Sequence, residues 1–395
     1  MGEGAGVFLL SPALSQARAR ARVRKIKENL TRLLLSHPQW YKDDNHKPEM
    51  AIAVGHDFSA LCGFEAPARL AAALEGTPEL AGVVGAGAAA ALVAAAPGAE
   101  ADPATFKASL KTAFTALMTA APEVYGPAVA ALAKRLEGEA AAAPATAATA
   151  STTTPPPPPP LAAKDALALR LQAQYPGDVG VLAAYFLNFL TLEDGQAIAL
   201  GANEPHAYLS GDLVECMATS DNVVRAGLTP KPRDTDTLCA SLTYATGAPA
   251  ILGGTPLQEH TVAYAPPFDE FEVVRVRLPR GGGDTLLPPS GGPSIILVGA
   301  GAGGLAATAL PLGQGGAGAA ALEAAAAVAR GDVLFLPAGT PLRVEGRAGG
   351  GGEGLTLWVA QVSARVLGPA PLVVPAVVAA PPATPAVEVA GVAPV

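Results

Sequence analysis

Cysteine, aromatic residues and charge are all scarce in this chain, and each shortage removes a class of explanation. Only three cysteines occur in 395 residues, Cys62, Cys216 and Cys239, with no close pair and no Cys-x-x-Cys spacing. That pattern argues against a disulfide scaffold and a cysteine zinc site, and fits a reducing, cytoplasmic compartment. The thiols read as isolated core or site-lining groups. Aromatics make up 5% of residues, and much of the 50% hydrophobic content is alanine, which buries little area. Charged residues are only 15%, with a net charge of −8, so no nucleic-acid partner is expected. The apolar stretches 83–96 and 294–313 are poor in Leu, Ile and Phe, so neither reads as a membrane span. The N-terminus, with Arg18, Arg20, Arg22, Arg24 and Lys25, is basic and acid-poor. A start without a targeting role is the preferred reading there, and a transit peptide the alternative.

Glycine (44) and proline (38), by contrast, are abundant and clustered, and they punctuate the chain into segments. Leu30, Leu33 and Leu34 predict a helix over 28–41, ended by Pro38. Residues 50–54 predict a strand that starts right after Glu49, which would hold that carboxylate on a rigid strand end. Residues 66–142 are Ala/Leu-rich, and Phe106, Leu110, Phe114 and Leu117 mark a packed helix face. The stretch 140–160 runs into six consecutive prolines, Pro155 to Pro160, and reads as a polyproline or disordered linker. A short helix follows from Asp165. Strands are expected at Leu187–Leu192, Ala197–Leu200, 271–278, 294–298, Val333–Leu336 and 355–362, and the tail from 367 is expected to fray. Asp194 to His206 also matches Arg330 to Leu342 in register, each copy reading as turn, strand and Gly/Pro loop. Both copies resemble the second motif of cupin jelly rolls, whose last position carries a metal-binding His; the first has His206 there and the second Leu342.

Chemistry concentrates in residues 201–231. Within 31 residues sit one His, four acids, two cations, two Asn, a Tyr and several hydroxyls. A second block reads Asn45-His-Lys-Pro-Glu-Met-Ala-Ile-Ala53, followed by Ala60-Leu-Cys-Gly-Phe64. Together the two blocks resemble, in order, the signature of type I phosphomannose isomerases. The resemblance covers roughly residues 28–66 and 170–245, and the C-terminal third only by pattern.

It implies a mainly β fold of two cupin-type jelly-roll barrels, the first truncated at its N-terminus, with an α-helical insertion. The divisions expected are a non-family segment 1–27, a catalytic barrel from 28–65 and 176–262, and the insertion 66–175. A metal-free second barrel at 263–366 and a flexible tail 367–395 complete them. The implied activity is zinc-dependent interconversion of mannose 6-phosphate and fructose 6-phosphate through an ene-diolate, in GDP-mannose biosynthesis. The implied partner is a phosphorylated hexose, and the expected state a monomer. The resemblance carries zinc ligation onto Glu49 and His206. Arg225 is the strongest catalytic candidate, because a guanidinium stays charged and can face an ene-diolate. Glu215 is the preferred acid/base. Lys47 and Lys231 are candidates for phosphate contact or proton handling. Asp221, Tyr208 and His46 are expected to line or support the pocket, a plain exposed polar role for His46 being as good a reading.

The chain departs from the family in one respect. None of its five histidines, His37, His46, His56, His206 and His260, belongs to the family's Gln-x-His pair that supplies two further zinc ligands. An N-terminally truncated product or a degenerate paralogue are the two readings, and either predicts weak zinc binding. A non-catalytic sugar-phosphate binder is therefore one alternative. The other is a dinucleotide site at Gly299, Gly301 and Gly304, where a strand is followed by GxGxxG and an expected helix. It is disfavoured because glycine coincidences are common in so Gly-rich a chain. The preferred reading there is a strand followed by a glycine-rich loop.

Overall fold

The computed structural model describes residues 12–142, 162–307, 325–347 and 354–367. Most of the expected linker and the tail beyond Leu367 lie outside these residues; residues 140–142 end a helix. In chain order the elements begin with α1 (Pro12–Ser36) and β1 (Glu49–Phe64). The helices α2 (Pro67–Gly76), α3 (Pro78–Val84), α4 (Ala86–Ala95), α5 (Pro103–Thr119), α6 (Pro122–Ala142), α7 (Ala163–Gln174) and α8 (Gly180–Ala183) follow. Next come β2 (Leu187–Leu192), β3 (Ala197–Leu200), β4 (His206–Met217), α9 (Thr235–Ser241), β5 (Ile251–Leu252), β6 (Thr255–Gln258), β7 (Thr261–Tyr264) and β8 (Glu272–Arg277). The described residues close with β9 (Gly283–Leu287), β10 (Ser294–Ala300), β11 (Ala302–Ala307), β12 (Ala325–Ala329), β13 (Val333–Leu336), β14 (Leu342–Gly346), β15 (Thr356–Gln361) and α10 (Ala364–Leu367).

The β part forms three antiparallel sheets. The first is a half-barrel built around β1, whose 16 residues pair with β4 on one side and with β3 and then β2 on the other. The second has order β13-β10-β15-β8-β7-β6 and the third β12-β11-β14-β9. The second sheet lies between the other two. Val274, Val276, Leu357 and Val359 pack with Leu305 and Val344 of the third sheet. Val273 and Trp358, on the opposite face, pack with Met50 and Ile52 of β1. Burial on both faces explains why β15 carries the continuous apolar run Leu357-Trp-Val-Ala360 rather than an alternation. The fold is thus mixed α/β rather than mainly β: antiparallel sheets, the first a half-barrel, with a helical insertion, and among the described residues helix outweighs strand.

Among the described residues seven helices, α2–α8, interrupt the half-barrel between β1 and β2. The expected stripe Phe106, Leu110, Phe114 and Leu117 is buried in their core. Phe64, the last residue of β1, meets Phe114 edge-on at 5.0 Å and stacks on Tyr244 at 5.3 Å, fastening the insertion to the sheet. Such aromatic pairs add about 1 kcal/mol each beyond their buried area. The bent pair Pro78–Val84 and Ala86–Gly98 sits in this insertion, and among the described residues no single helix is long and apolar enough to cross a membrane.

Three local expectations are corrected. The first helix spans Pro12–Ser36 rather than 28–41, stopping two residues before Pro38 because the residue preceding a proline avoids the helical region. The strand expected at 50–54 continues to Phe64, crossing an irregularity at Gly55 and Asp57, both at positive φ (78° and 73°), that hides its length from pattern reading. The GxGxxG segment is strand–turn–strand: no helix follows β10, Gly301 turns the chain at φ 72°, and β11 joins the third sheet. A Cβ on Gly299 would meet Trp358 Nε1 at 2.8 Å, so this glycine admits a core indole rather than a pyrophosphate.

The internal repeat is a structural one. Gly195 and Gly331 both turn at positive φ (80° and 95°), as do Asn203 and Gly339 (67° and 73°). His206 opens β4 and Leu342 opens β14. His206 faces a cavity, whereas Leu342 is 1% exposed within the second core.

Candidate functional site

The site grows from the pairing of β1 with β4. Glu49 is the first residue of β1, and Ala51 lies opposite Glu215, Ala60 opposite Tyr208 and Cys62 opposite His206. Side chains two apart on a strand share a face. Between Glu215 and Tyr208 the β1–β4 register shifts, which inverts the alternation. Glu49, Glu215, Tyr208 and His206 therefore project from one face, while Met50, Ile52, Val214 and Cys216 pack behind it. That face closes one side of a cavity of about 660 Å³, which His46, Lys47 and Arg225 also line.

The polar contacts form a chain. Lys47 Nζ lies 3.2 Å from Glu49 Oε1, and His206 Nε2 lies 3.5 Å from Glu49 Oε2. The Tyr208 hydroxyl donates to Glu215 Oε1 at 2.8 Å. Burial alone would raise the Glu49 pKa, but the His206 contact, the Glu215 hydrogen bond and Lys47 outweigh it and hold the carboxyl down to about 2. Glu215 moves the other way: burial raises it, and the ionised Glu49 beside it raises it further. The two carboxyls thus differ in role, Glu49 ionised and Glu215 inclined to keep a proton. Burial likewise pushes the Tyr208 hydroxyl well up, with the charges of Glu215 and Glu49 adding to it. Cys62, pushed up to about 12 by burial and then by Glu204, is a packing thiol.

His206 has its Nδ1 2.9 Å from the Glu204 carbonyl. A carbonyl only accepts, so Nδ1 carries the proton, and Nε2 is buried without a hydrogen-bond partner. Second-atom anchoring of this kind is what a metal-ligating imidazole needs. The donor set is nevertheless short. Glu49 and His206 are two ligands, a catalytic zinc takes three from the protein, and among the described residues no group of three His, Cys, Asp or Glu could hold a metal ion. These residues alone do not make a zinc site.

The far wall is the loop after β4. Asp43 anchors its start, accepting from the Ser220 hydroxyl at 2.9 Å and the Asp221 N–H at 2.8 Å. This turns Asp221 outward, exposed, while Asn222 lines the cavity. Arg225 lines it too, but Lys231 is exposed and is not among the lining residues. Of the residues singled out by sequence, the structure thus gathers His46, Lys47, Glu49, His206, Tyr208, Glu215 and Arg225, and leaves Asp221 and Lys231 outside. Sequence reading missed Asp43, although it belongs to the run just before the Asn45 block.

The end of the loop is set by a close approach of two glycines. Asp178 Oδ1 accepts from Gly180 N at 2.6 Å and Leu228 N at 2.8 Å. A Cβ on Gly227 would sit 2.8 Å from the Gly180 backbone. Gly227→Ala should therefore shift the Arg225 loop and cost about 1–3 kcal/mol as overpacking. Gly138→Ala, on an open helix surface with nothing within 4 Å, is the control and should be neutral or slightly stabilising. Thermal melts of the two variants decide it; equal melting temperatures would remove the close approach as a constraint.

A half-barrel with a carboxylate–imidazole face, backed by a second β unit and interrupted by helices, defines an antiparallel β-sheet protein with a helical insertion. Its comparisons agree. Family models for the catalytic domain and the helical insertion domain of type I phosphomannose isomerase match residues 17–66 and 83–187. Mannose-6-phosphate isomerase 1 of Arabidopsis thaliana is 40% identical over 334 residues, 85% of this chain and 68% of that protein. The human mannose-6-phosphate isomerase is 39% identical over 64% of this chain and 56% of its own length. A mannose 6-phosphate isomerase solved with zinc and yttrium bound shares the fold at TM-score 0.59 and 21% identity, covering 86% of this chain and 74% of that one. The chain belongs to the type I phosphomannose isomerase family. It spans about two-thirds of the length of the plant relative and little more than half that of the human one.

Proposed function

We propose that this protein interconverts D-mannose 6-phosphate and D-fructose 6-phosphate. The observation that carries the reading is the gathering of Lys47, Glu49, His206, Tyr208, Glu215 and Arg225 around one cavity. Relatives at about 40% identity that carry the name mannose-6-phosphate isomerase support it. The reaction opens a hexose ring and moves a proton between C1 and C2, with negative charge developing on an ene-diolate. Glu215, whose pKa is raised by burial and by the neighbouring Glu49, is the group placed to exchange that proton. Arg225 supplies fixed positive charge at the cavity wall. Lys47 is committed to Glu49 inside the cluster, which suits proton handling better than phosphate contact.

We further propose a cytoplasmic, monomeric, zinc-dependent enzyme supplying mannose phosphate for GDP-mannose. Three free thiols fit a reducing compartment, and the relative with bound zinc supports the metal. Glu49 and His206 would be two of the zinc ligands.

Coupling fructose 6-phosphate formation to a dehydrogenase tests the activity. Binding of mannose 6-phosphate without turnover at saturating zinc would instead favour a non-catalytic sugar-phosphate binder. Elemental analysis tests the ligand count: residues 1–395 should purify with well under one zinc per chain and show low activity. One tightly held zinc with full activity would mean that other groups complete the site.

A further inference from the structure

Glu270 belongs to the second β unit, yet its Oε1 lies 2.7 Å from Nε2 of His46, with the two side chains 27% and 11% exposed. Each partner also keeps a buried atom without a hydrogen-bond partner, Nδ1 of His46 and Oε2 of Glu270. Leaving such a group unsatisfied costs about 1–3 kcal/mol, so in a native protein it marks a strain reservoir, a water or ion, or a functional role. His46 lines the cavity of the candidate site beside Lys47 and Glu49.

The segment that presents Glu270 is fastened on both sides. Phe271 is 5% exposed in the core between the first and second sheets, beside Trp358 and Tyr264, and Phe268 meets it edge-on at 5.3 Å. From α10, Arg365 donates to the carbonyls of Pro266 and Phe268, and its Nε lies 3.2 Å from Asp269 Oδ1. A carboxylate held this way is a fixed acceptor rather than a wandering surface charge.

We propose that Glu270 is a positioning residue for the cavity. It accepts the Nε2–H of His46, sets the plane and tautomer of that ring, and so leaves Nδ1 to meet a hydroxyl of the sugar phosphate. An imidazole whose Nε2–H is engaged offers a lone pair at Nδ1 when neutral and a second N–H when charged, and a hydroxyl satisfies either. The second unit, whose own repeat position carries Leu342, thereby contributes to the site of the first. The identity of the ligand rests on the sugar-phosphate reading above; the Glu270–His46 relation does not.

The test uses the full chain. Nitrogen-15 NMR of its five imidazoles, with His46 assigned through His46→Asn, reports the tautomer directly. His46 should hold its proton on Nε2 in the parent and in Glu270→Gln, whose amide oxygen still accepts, and should average between tautomers in Glu270→Leu. In calorimetric titration with mannose 6-phosphate, Glu270→Leu should weaken Kd about tenfold and Glu270→Gln by less than about threefold, as for loss and retention of one buried hydrogen bond. Adding Glu270→Leu to His46→Asn should weaken binding no further. An unchanged His46 tautomer in Glu270→Leu, or equal weakening in the His46→Asn background, overturns the proposal. If the parent does not bind mannose 6-phosphate, the sugar-phosphate reading fails, and the tautomer measurement still decides whether Glu270 sets the ring.

Discussion

Arg225→Ala should lower kcat by about 10²-fold or more at saturating zinc, with a much smaller change in KM. The guanidinium is held at the cavity wall by a loop that two anchors define, Asp43 at its start and the Gly180–Gly227 approach at its end. A charge fixed before the reaction stabilises the ene-diolate most, because that is where negative charge appears, so the loss falls on the chemical step. Arg225→Lys should restore only part of the rate, since an ammonium lacks the planar fork. Steady-state kinetics in the coupled assay measures both variants. A near-normal kcat for Arg225→Ala would remove this residue from the mechanism.

Glu215→Gln should lose activity to a similar extent while leaving the fold intact. Its carboxyl accepts from Tyr208 at 2.8 Å and, carrying a proton, donates to Glu49. A glutamine amide reproduces both bonds, its oxygen accepting and its N–H donating, but cannot pass a proton. The melting temperature should thus stay close to that of the parent, while kcat falls by about 10²–10⁴-fold, the range for removing a general acid/base. Glu215→Ala should also destabilise the protein, because Tyr208 and Glu49 each lose a buried partner. Full activity in Glu215→Gln would assign proton transfer to another group, with Lys47, paired to Glu49, the next candidate in the cluster.

Much of the site could be read before any coordinates. Glu49 sits at the start of a strand, and His206 opens β4 right after a Gly/Pro turn, and both belong to short local blocks that the sequence spells out in neighbouring residues. The repeat of Asp194–His206 in Arg330–Leu342 was legible for the same reason: a positive-φ turn, a four-residue strand and a second positive-φ turn are written in neighbouring residues. The dinucleotide alternative at Gly299 misread glycines that make room for Trp358 and turn a strand. Lys231 drew attention by lying in the dense stretch, but the loop carries it past the cavity.

By itself the sequence determined what nearby residues decide: the helical insertion from the Phe106–Leu117 stripe, the strands β2, β3 and β13, and the chemistry carried by Glu49, His206, Glu215 and Arg225. Tertiary structure alone decided which of these face one another. The pairing of β1 with β4 puts Glu49 beside Glu215, 166 residues away in the chain, and so drives the pKa values of two like carboxyls apart, one down and one up. Packing of the second sheet against the first brings Glu270 to His46. Such contacts depend on the register and stacking of whole sheets, which buried apolar side chains from all of them set together, and no local run of residues encodes that sum.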